Sequence, residues 1–231
     1  MSASSSNAND KDCAIIFLHG LGDSPKGSRQ LVNWFVKHLP DKERLHLVYP
    51  PAPTIGLTCH DGMEMAGWFD LYDWPIRLGA RDDRDGKLAA VRRIEETIEM
   101  LEGEMGIPPS RVVIGGFSQG GAVALLAAYH RRPGEGKAPF AGCICLSGWL
   151  TLKDALTVTD EVAKATPLFW GHGERDETVP FEQQAHGVGR LRELGLDVTD
   201  ESYPTGHGVH PREMLAVAEF LKRVLPPPVP K

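Results

Sequence analysis

The string Gly116-Phe117-Ser118-Gln119-Gly120-Gly121 sets one serine between glycines placed two residues to either side. It follows the apolar run Val112 to Phe117 and precedes the small, apolar stretch Gln119 to His130, so it falls at a strand-to-helix turn. The glycines permit a turn too sharp for larger side chains, which pushes the Ser118 hydroxyl out at the carboxyl end of its strand. The N-terminus of the following helix favours negative charge developing there. A serine hydroxyl is a weak nucleophile until a base takes its proton, and the base needs an orienting carboxylate. The chemistry this points to is attack on a carbonyl through a covalent serine ester.

At such a turn the partners are expected later in the chain, acid before histidine. Gly171 to Pro180 is a loop at the carboxyl end of an apolar strand and carries Glu174, Asp176 and Glu177. Gly206-His207-Gly208-Val209-His210 ends a later strand in the same way. The order Ser118, Asp176, His207 therefore fits, with Glu174 or Glu177 as alternative acids and His210 as the alternative base. His207 is flanked by glycines, as a histidine that must reach a cleft would be. His210 abuts Pro211 at a helix start, which suits a cap or a surface position. His172 precedes the acid and is read as packing or hydrogen bonding within its loop. A tetrahedral oxyanion needs backbone N–H donors, one from the residue after the nucleophile, Gln119, and one from the loop after an early strand. His19-Gly20-Leu21-Gly22-Asp23 is that loop, and Leu21 is the second donor expected.

The elements that must position these residues can be read from hydrophobic patterning. Continuous apolar runs at Ala14–Leu18, Leu45–Tyr49, Val112–Phe117, Phe140–Leu146 and Leu168–Gly171, with Val198–Tyr203, predict six strands. Helices are predicted from Leu31, Trp34, Phe35 and Leu39, over Leu88–Met105 with its Val91, Ile94, Ile98 and Leu101 stripe, and over Gln119–His130, Phe181–Leu194 and Pro211–Leu225. Strands alternating with helices specify an α/β protein with a mostly parallel central sheet flanked by helices and no separate lid domain. The organisation expected is a flexible polar N-terminus over residues 1–12, one domain over 13–225, and a mobile, extended Pro-rich tail over 226–231. Residues Thr54 to Asp85 show no clear period.

The 231 residues are 42% hydrophobic and 24% charged, which excludes a disordered chain, a coiled coil and a collagen-like repeat. The formal net charge of −6 argues against a dedicated nucleic-acid binder. Lys26 precedes the second glycine of Gly22 to Ser28, so the Walker order is broken, and no G-x-G-x-x-G follows a strand. Nine histidines show no H-E-x-x-H and no Cys/His zinc spacing, so neither metal nor cofactor is expected. The opening segment lacks the apolar core of a signal peptide, Ser2 excludes the myristoylation pattern, and no run approaches a membrane span. Cytoplasm is the expected location, and the four cysteines are read as reduced thiols, with Cys143 and Cys145 facing the same way on their strand.

With these residues assembled, the chain resembles the acyl-protein thioesterases and lysophospholipase-like carboxylesterases, a branch of the α/β-hydrolase superfamily. The matching segments run in the family's order: Phe17 to Asp23, Trp68-Phe69-Asp70, Ile107-Pro108, Gly115 to Gly121, Leu146 to Leu150, His172-Gly173 with Asp176 and Val179-Pro180, and Gly206-His207 with Glu213-Met214. They cover Ala14 to Leu225. The resemblance implies a metal-independent, mostly cytosolic serine hydrolase with Ser118, Asp176 and His207 as triad and Leu21 and Gln119 as oxyanion hole. The spacing from His207 to Glu213-Met214 favours His207 over His210. It further implies S-palmitoyl thioesters on proteins, lysophospholipids or small esters as substrates, transient membrane contact, and a monomer or weak homodimer. At about 0.8 kcal/mol per methylene, a palmitoyl chain needs apolar burial on the order of 10 kcal/mol. Leu71, Trp74, Ile76 and Leu78 in the irregular loop, with Trp149, are the expected lining of that groove. The chain departs from the family pattern over Thr58 to Gly67, in the loop Leu71 to Arg81, and in a longer Arg131 to Lys137 insert. A small-molecule carboxylesterase using the same triad is the alternative, and a non-catalytic binding module is disfavoured because no triad member is missing.

Overall fold

The computed structural model describes residues 11–130, 138–152 and 164–229. The Arg131 to Lys137 insert lies outside them. In chain order the strands are β1 (Cys13–Leu18), β2 (Leu45–Val48), β3 (Thr54–Leu57), β4 (Met63–Ala66), β5 (Val112–Phe117), β6 (Gly142–Leu146), β7 (Leu168–Gly173) and β8 (Val198–Tyr203). The α-helices among the described residues are α1 (Pro25–Val36), α2 (Arg84–Met105), α3 (Gln119–Tyr129), α4 (Glu182–Glu193) and α5 (Pro211–Val224).

Six strands form one sheet in the order β2-β1-β5-β6-β7-β8, and every pairing is parallel. Parallel strands connected by helices are buried on both faces, which is why their sequences are continuous apolar runs instead of alternating ones. Alternate residues of β1 show the division. Ala14, Ile16 and Leu18 join the core with residues of α2, α3 and α4, whereas Cys13, Ile15 and Phe17 pack with residues of α1 and α5. Helix α3 is buried nearly all round, because it lies directly behind the sheet with α2 over it. Cys143 and Cys145 share one face of β6 and are free thiols, whose ionisation burial pushes well up. Among the described residues no helix is long and apolar enough to cross a membrane.

Three sequence expectations are corrected. Helix α1 begins at Pro25, not near Leu31, because proline is preorganised for the first helical position and Ser24 is the extended residue before it. Leu39 is buried beyond the helix end, through the turn that follows. The aperiodic stretch after Pro53 contains the antiparallel hairpin β3–β4, which stands off the main sheet and is mostly exposed, so no apolar face marked it. Its readable signal is Asp61-Gly62, both at positive φ (53° and 79°).

Residues 226–229 of the tail are also held where free movement was expected, and 230 and 231 lie outside the described residues. Arg44 Nη2 donates to the Pro226 carbonyl at 2.7 Å and Arg111 Nη2 to that of Pro227 at 2.9 Å. The Val229 N–H donates to Asp12 Oδ2 at 2.7 Å. Asp12 is the hub, since its carboxylate also meets Arg44 Nε at 2.7 Å and Arg111 Nη2 at 2.8 Å. Burial alone would raise the Asp12 pKa, but the Val229 N–H and the two guanidinium groups outweigh it and lower it. The carboxylate therefore stabilises the fold above the ordinary aspartate range, and this is lost as pH falls through its lowered value. Asp12→Ala is expected to cost about 1–2 kcal/mol, a Tm loss of several degrees, and to open residues 226–229 to protease. Thermal unfolding and limited carboxypeptidase digestion check this, and an unchanged digestion rate would refute the tether.

Candidate active site

Ser118 sits between β5 and α3 at φ 54° and ψ −122°, a conformation that L-residues rarely adopt. The glycines around it explain how the strain is tolerated. A Cβ on Gly116 would collide with the Gly120 backbone, and one on Gly120 would collide with the Leu18 carbonyl of β1. The first turn of α3 is therefore pressed against the ends of β5 and β1. The backbone is held on both sides, by Ser118 N–H to Leu146 O at 2.8 Å and Ala122 N–H to Ser118 O at 3.1 Å.

Because the sheet is parallel, the loops after β1, β5, β7 and β8 all emerge at the same edge. His207 Nε2 lies 2.9 Å from Ser118 Oγ, and His207 Nδ1 lies 2.6 Å from Asp176 Oδ2. The other oxygen, Asp176 Oδ1, accepts the Thr178 and Val179 N–H groups, both at 2.9 Å. His172 Nε2, bonded to the Val179 carbonyl at 2.8 Å, approaches Oδ2 to 3.4 Å. Burial works against the Asp176 anion, but the contacts from His172, His207 and the Val179 N–H prevail and hold its pKa well below the ordinary carboxylate range. An ionised Asp176 can only accept, so Nδ1 of His207 carries the hydrogen and Nε2 is free to accept from the Ser118 hydroxyl. The acid and histidine loops touch at Gly173, where a Cβ would overlap the Gly206 carbonyl.

The alternatives named from sequence fall elsewhere. Glu174 and Glu177 are exposed, and Glu174 accepts the Ser202 hydroxyl. His210 caps α5, with Nδ1 accepting the Arg212 N–H, and stacks on Tyr203 at 5.6 Å.

Leu21 and Gln119 face the same cleft as Ser118. Neither their N–H groups nor any acceptor among the described residues form a hydrogen bond together. The Leu21 loop is fixed from several sides. Gly22 N–H donates to Ala66 O at 2.7 Å, and Trp68 Nε1 donates to His19 O at 2.8 Å. His19 accepts the Ala52 N–H at Nε2 (3.1 Å), so its Nδ1 bears the hydrogen and donates to Gly20 O at 2.8 Å. The Gln119 side chain accepts the Trp68 N–H and donates to the Phe69 carbonyl, each at 2.8 Å. These bonds fix where both backbone N–H groups point.

The cleft over Ser118 holds about 390 Å³ and is walled by Leu71, Trp74, Ile76 and Trp149. Leu78 is not among its walls. It is 43% exposed and borders a smaller adjoining pocket, because the loop turns outward after Ile76. Residues the sequence reading missed also line the cleft: Met65 from β4, His60 from the hairpin turn, and Thr178 and Val179 from the acid loop. Only the hairpin, once recognised, would have drawn attention to Met65 and His60. The loop is joined to the acid loop by Ile76 N–H to Thr178 O at 2.9 Å.

Comparison with known proteins adds ancestry to this geometry. The family model described as Phospholipase/Carboxylesterase matches residues 3–225. An acyl-protein thioesterase 1 from Gibberella zeae is 36% identical, covering 95% of this chain and 94% of its own. The carboxylesterase SOBER1 of Arabidopsis thaliana is 32% identical over 91% of this chain and 90% of its own. Its crystal structure superposes with a TM-score of 0.84 at 30% identity, covering 93% and 99% of the two chains. The crystal structure of Zea mays acyl-protein thioesterase 2 gives 0.79 at 27% identity, covering 94% and 95%.

Below the histidine loop, Glu213 on α5 accepts the His210 N–H at 3.0 Å and is 1% exposed. Its Oε1, packed against Gly171, has no hydrogen-bond partner among the described residues. Burial pushes its pKa up to about 7 from an ordinary 4.5, the His210 N–H opposing and Glu201 reinforcing. Between those values the folded chain keeps a proton that the unfolded chain has lost, so stability falls as pH rises through the window. Glu213→Gln is expected to abolish this decline. Urea unfolding at pH 5 and pH 8 should show wild type losing on the order of 2 kcal/mol more than the variant. Equal losses would show that Glu213 does not titrate in the window.

Proposed function

The chain belongs to the phospholipase/carboxylesterase family and is a serine hydrolase of acyl esters, and we propose that it cleaves S-palmitoyl thioesters on proteins and lysophospholipid esters. The observation that supports this best is the Asp176–His207–Ser118 relay, at 2.6 and 2.9 Å, opening onto a cleft with apolar walls. His207 takes the Ser118 proton as Oγ attacks the acyl carbonyl, and Asp176 stabilises the resulting imidazolium. The Leu21 and Gln119 N–H groups receive the oxyanion, each contributing about 10²–10³ in rate. His207 then protonates the departing thiolate or alkoxide, and in the second half it activates water to release the acid. The acyl chain lies along Leu71, Trp74, Ile76 and Trp149.

The proposed substrates are acylated proteins or lysophospholipids met in the cytoplasm through transient membrane contact. A small-molecule carboxylesterase acting on short-chain esters is the second reading, and the similarity to the Arabidopsis carboxylesterase supports its reaction class.

Ser118→Ala is expected to lose fluorophosphonate labelling and about 10⁴-fold or more in ester hydrolysis, and Asp176→Asn about 10⁴-fold in kcat with little change in KM. A Ser118→Ala protein with full activity would sink the mechanism. Rates on acetyl through palmitoyl thioesters separate the two substrate readings: a strict acetyl preference would favour the short-chain enzyme.

A further inference from the structure

Behind the cleft lies a second, smaller space of about 50 Å³, partly open to solvent and lined on its outer side by the exposed Arg77, Leu78 and Arg81. Leu71, Ile76 and Trp149 border both, so they form the partition between them. An acyl chain passes from the cleft into this space only if the partition moves.

The other walls of that pocket include Asp82, Lys87 and Thr151. Lys87 is 2% exposed, in the first turns of α2. Its ammonium pairs with the Asp82 carboxylate and lies 4.8 Å from the centre of the Phe69 ring. Asp82 also accepts the Thr151 hydroxyl, and its other oxygen accepts the Leu152 N–H at 3.2 Å. One carboxylate thus ties the end of the Leu71 loop to α2 and to the segment that carries Trp149. Phe69 meets Trp149 edge-on at 5.9 Å, so the cation braces the partition from behind. Burial lowers the Lys87 pKa and the Asp82 contact opposes it, as expected where a cation is tolerated only with its partner. The proposed acyl-transfer steps use neither charge, although the buried Lys87 ammonium is costly to place there.

We propose that the Asp82–Lys87 pair determines acyl-chain specificity, by holding the Leu71, Ile76 and Trp149 partition closed and so stopping the chain at the cleft's inner end. The small pocket is the continuation of the cleft that the bridge keeps shut. This inference rests on the acyl-ester reading of the Ser118 site.

The experiment compares nitrophenyl esters from acetate through octanoate to palmitate. The variants are Asp82→Ala with Lys87→Met, which removes the bridge without leaving a buried charge unpaired, and Thr151→Val, a milder loosening that leaves the pair intact. The double variant is expected to keep acetate kcat/KM within about twofold and to raise the long-to-short ratio about tenfold, the scale of one added methylene. Thr151→Val should shift the ratio in the same direction by less, and it decides the matter if the double variant does not fold. A ratio that stays constant, or that moves toward short chains, overturns the proposal. Wild-type protein inactive on every ester would overturn the hydrolase reading instead, so the two failures are distinct.

Discussion

Everything at the site depends on the contact between the first turn of α3 and the end of β1. Gly120 rests against the Leu18 carbonyl, and no side chain fits between them. That approach goes with the strained positive-φ conformation of Ser118, and it brings the Gln119 backbone beside the Leu21 loop that leaves the same strand. The proposed nucleophile and oxyanion donors are therefore positioned by one packing constraint. The parallel sheet does the rest, because the loops after β7 and β8 must emerge at the same edge.

Three carboxylates show how hydrogen-bond donors are set against burial in deciding charge. Asp176 receives two backbone N–H groups and two histidines, and its pKa is driven down despite desolvation. Glu213 receives one N–H and has Glu201 nearby, and its pKa rises. Asp82 lies between, partly exposed but bonded to Lys87, Thr151 and the Leu152 N–H, and its pKa is lowered. The first arrangement holds the His207 ring, the second caps a helix under the histidine loop, and the third joins loops around a cavity.

Much of the fold was legible because buried parallel strands are continuous apolar runs and α2 carries a clear stripe. What escaped had no such signature. The hairpin β3–β4 is largely exposed, so its pattern carries no apolar face, and with it went Met65 and His60. The start of α1 was misplaced because Lys26-Gly27-Ser28 reads as loop chemistry, whereas the proline before it begins the helix. The Pro-rich tail looked free because its partners, Arg44, Arg111 and Asp12, are distant in sequence.

The amino-acid sequence by itself determined the type of reaction, since a serine in a glycine-bounded strand-to-helix turn, followed in order by an acid and a histidine, restricts the chemistry through local backbone geometry. It left open which acid and which histidine. Tertiary structure distinguished Asp176 from its exposed neighbours Glu174 and Glu177, and His207 from the capping His210. It also turned Leu78 away from the cleft and brought Asp82, Lys87 and Thr151 together behind it. The reason is physical: nucleophilicity is conferred by contacts within a few ångströms, and residues 89 and 31 positions apart along the chain meet only because β5, β7 and β8 end at one edge of one sheet.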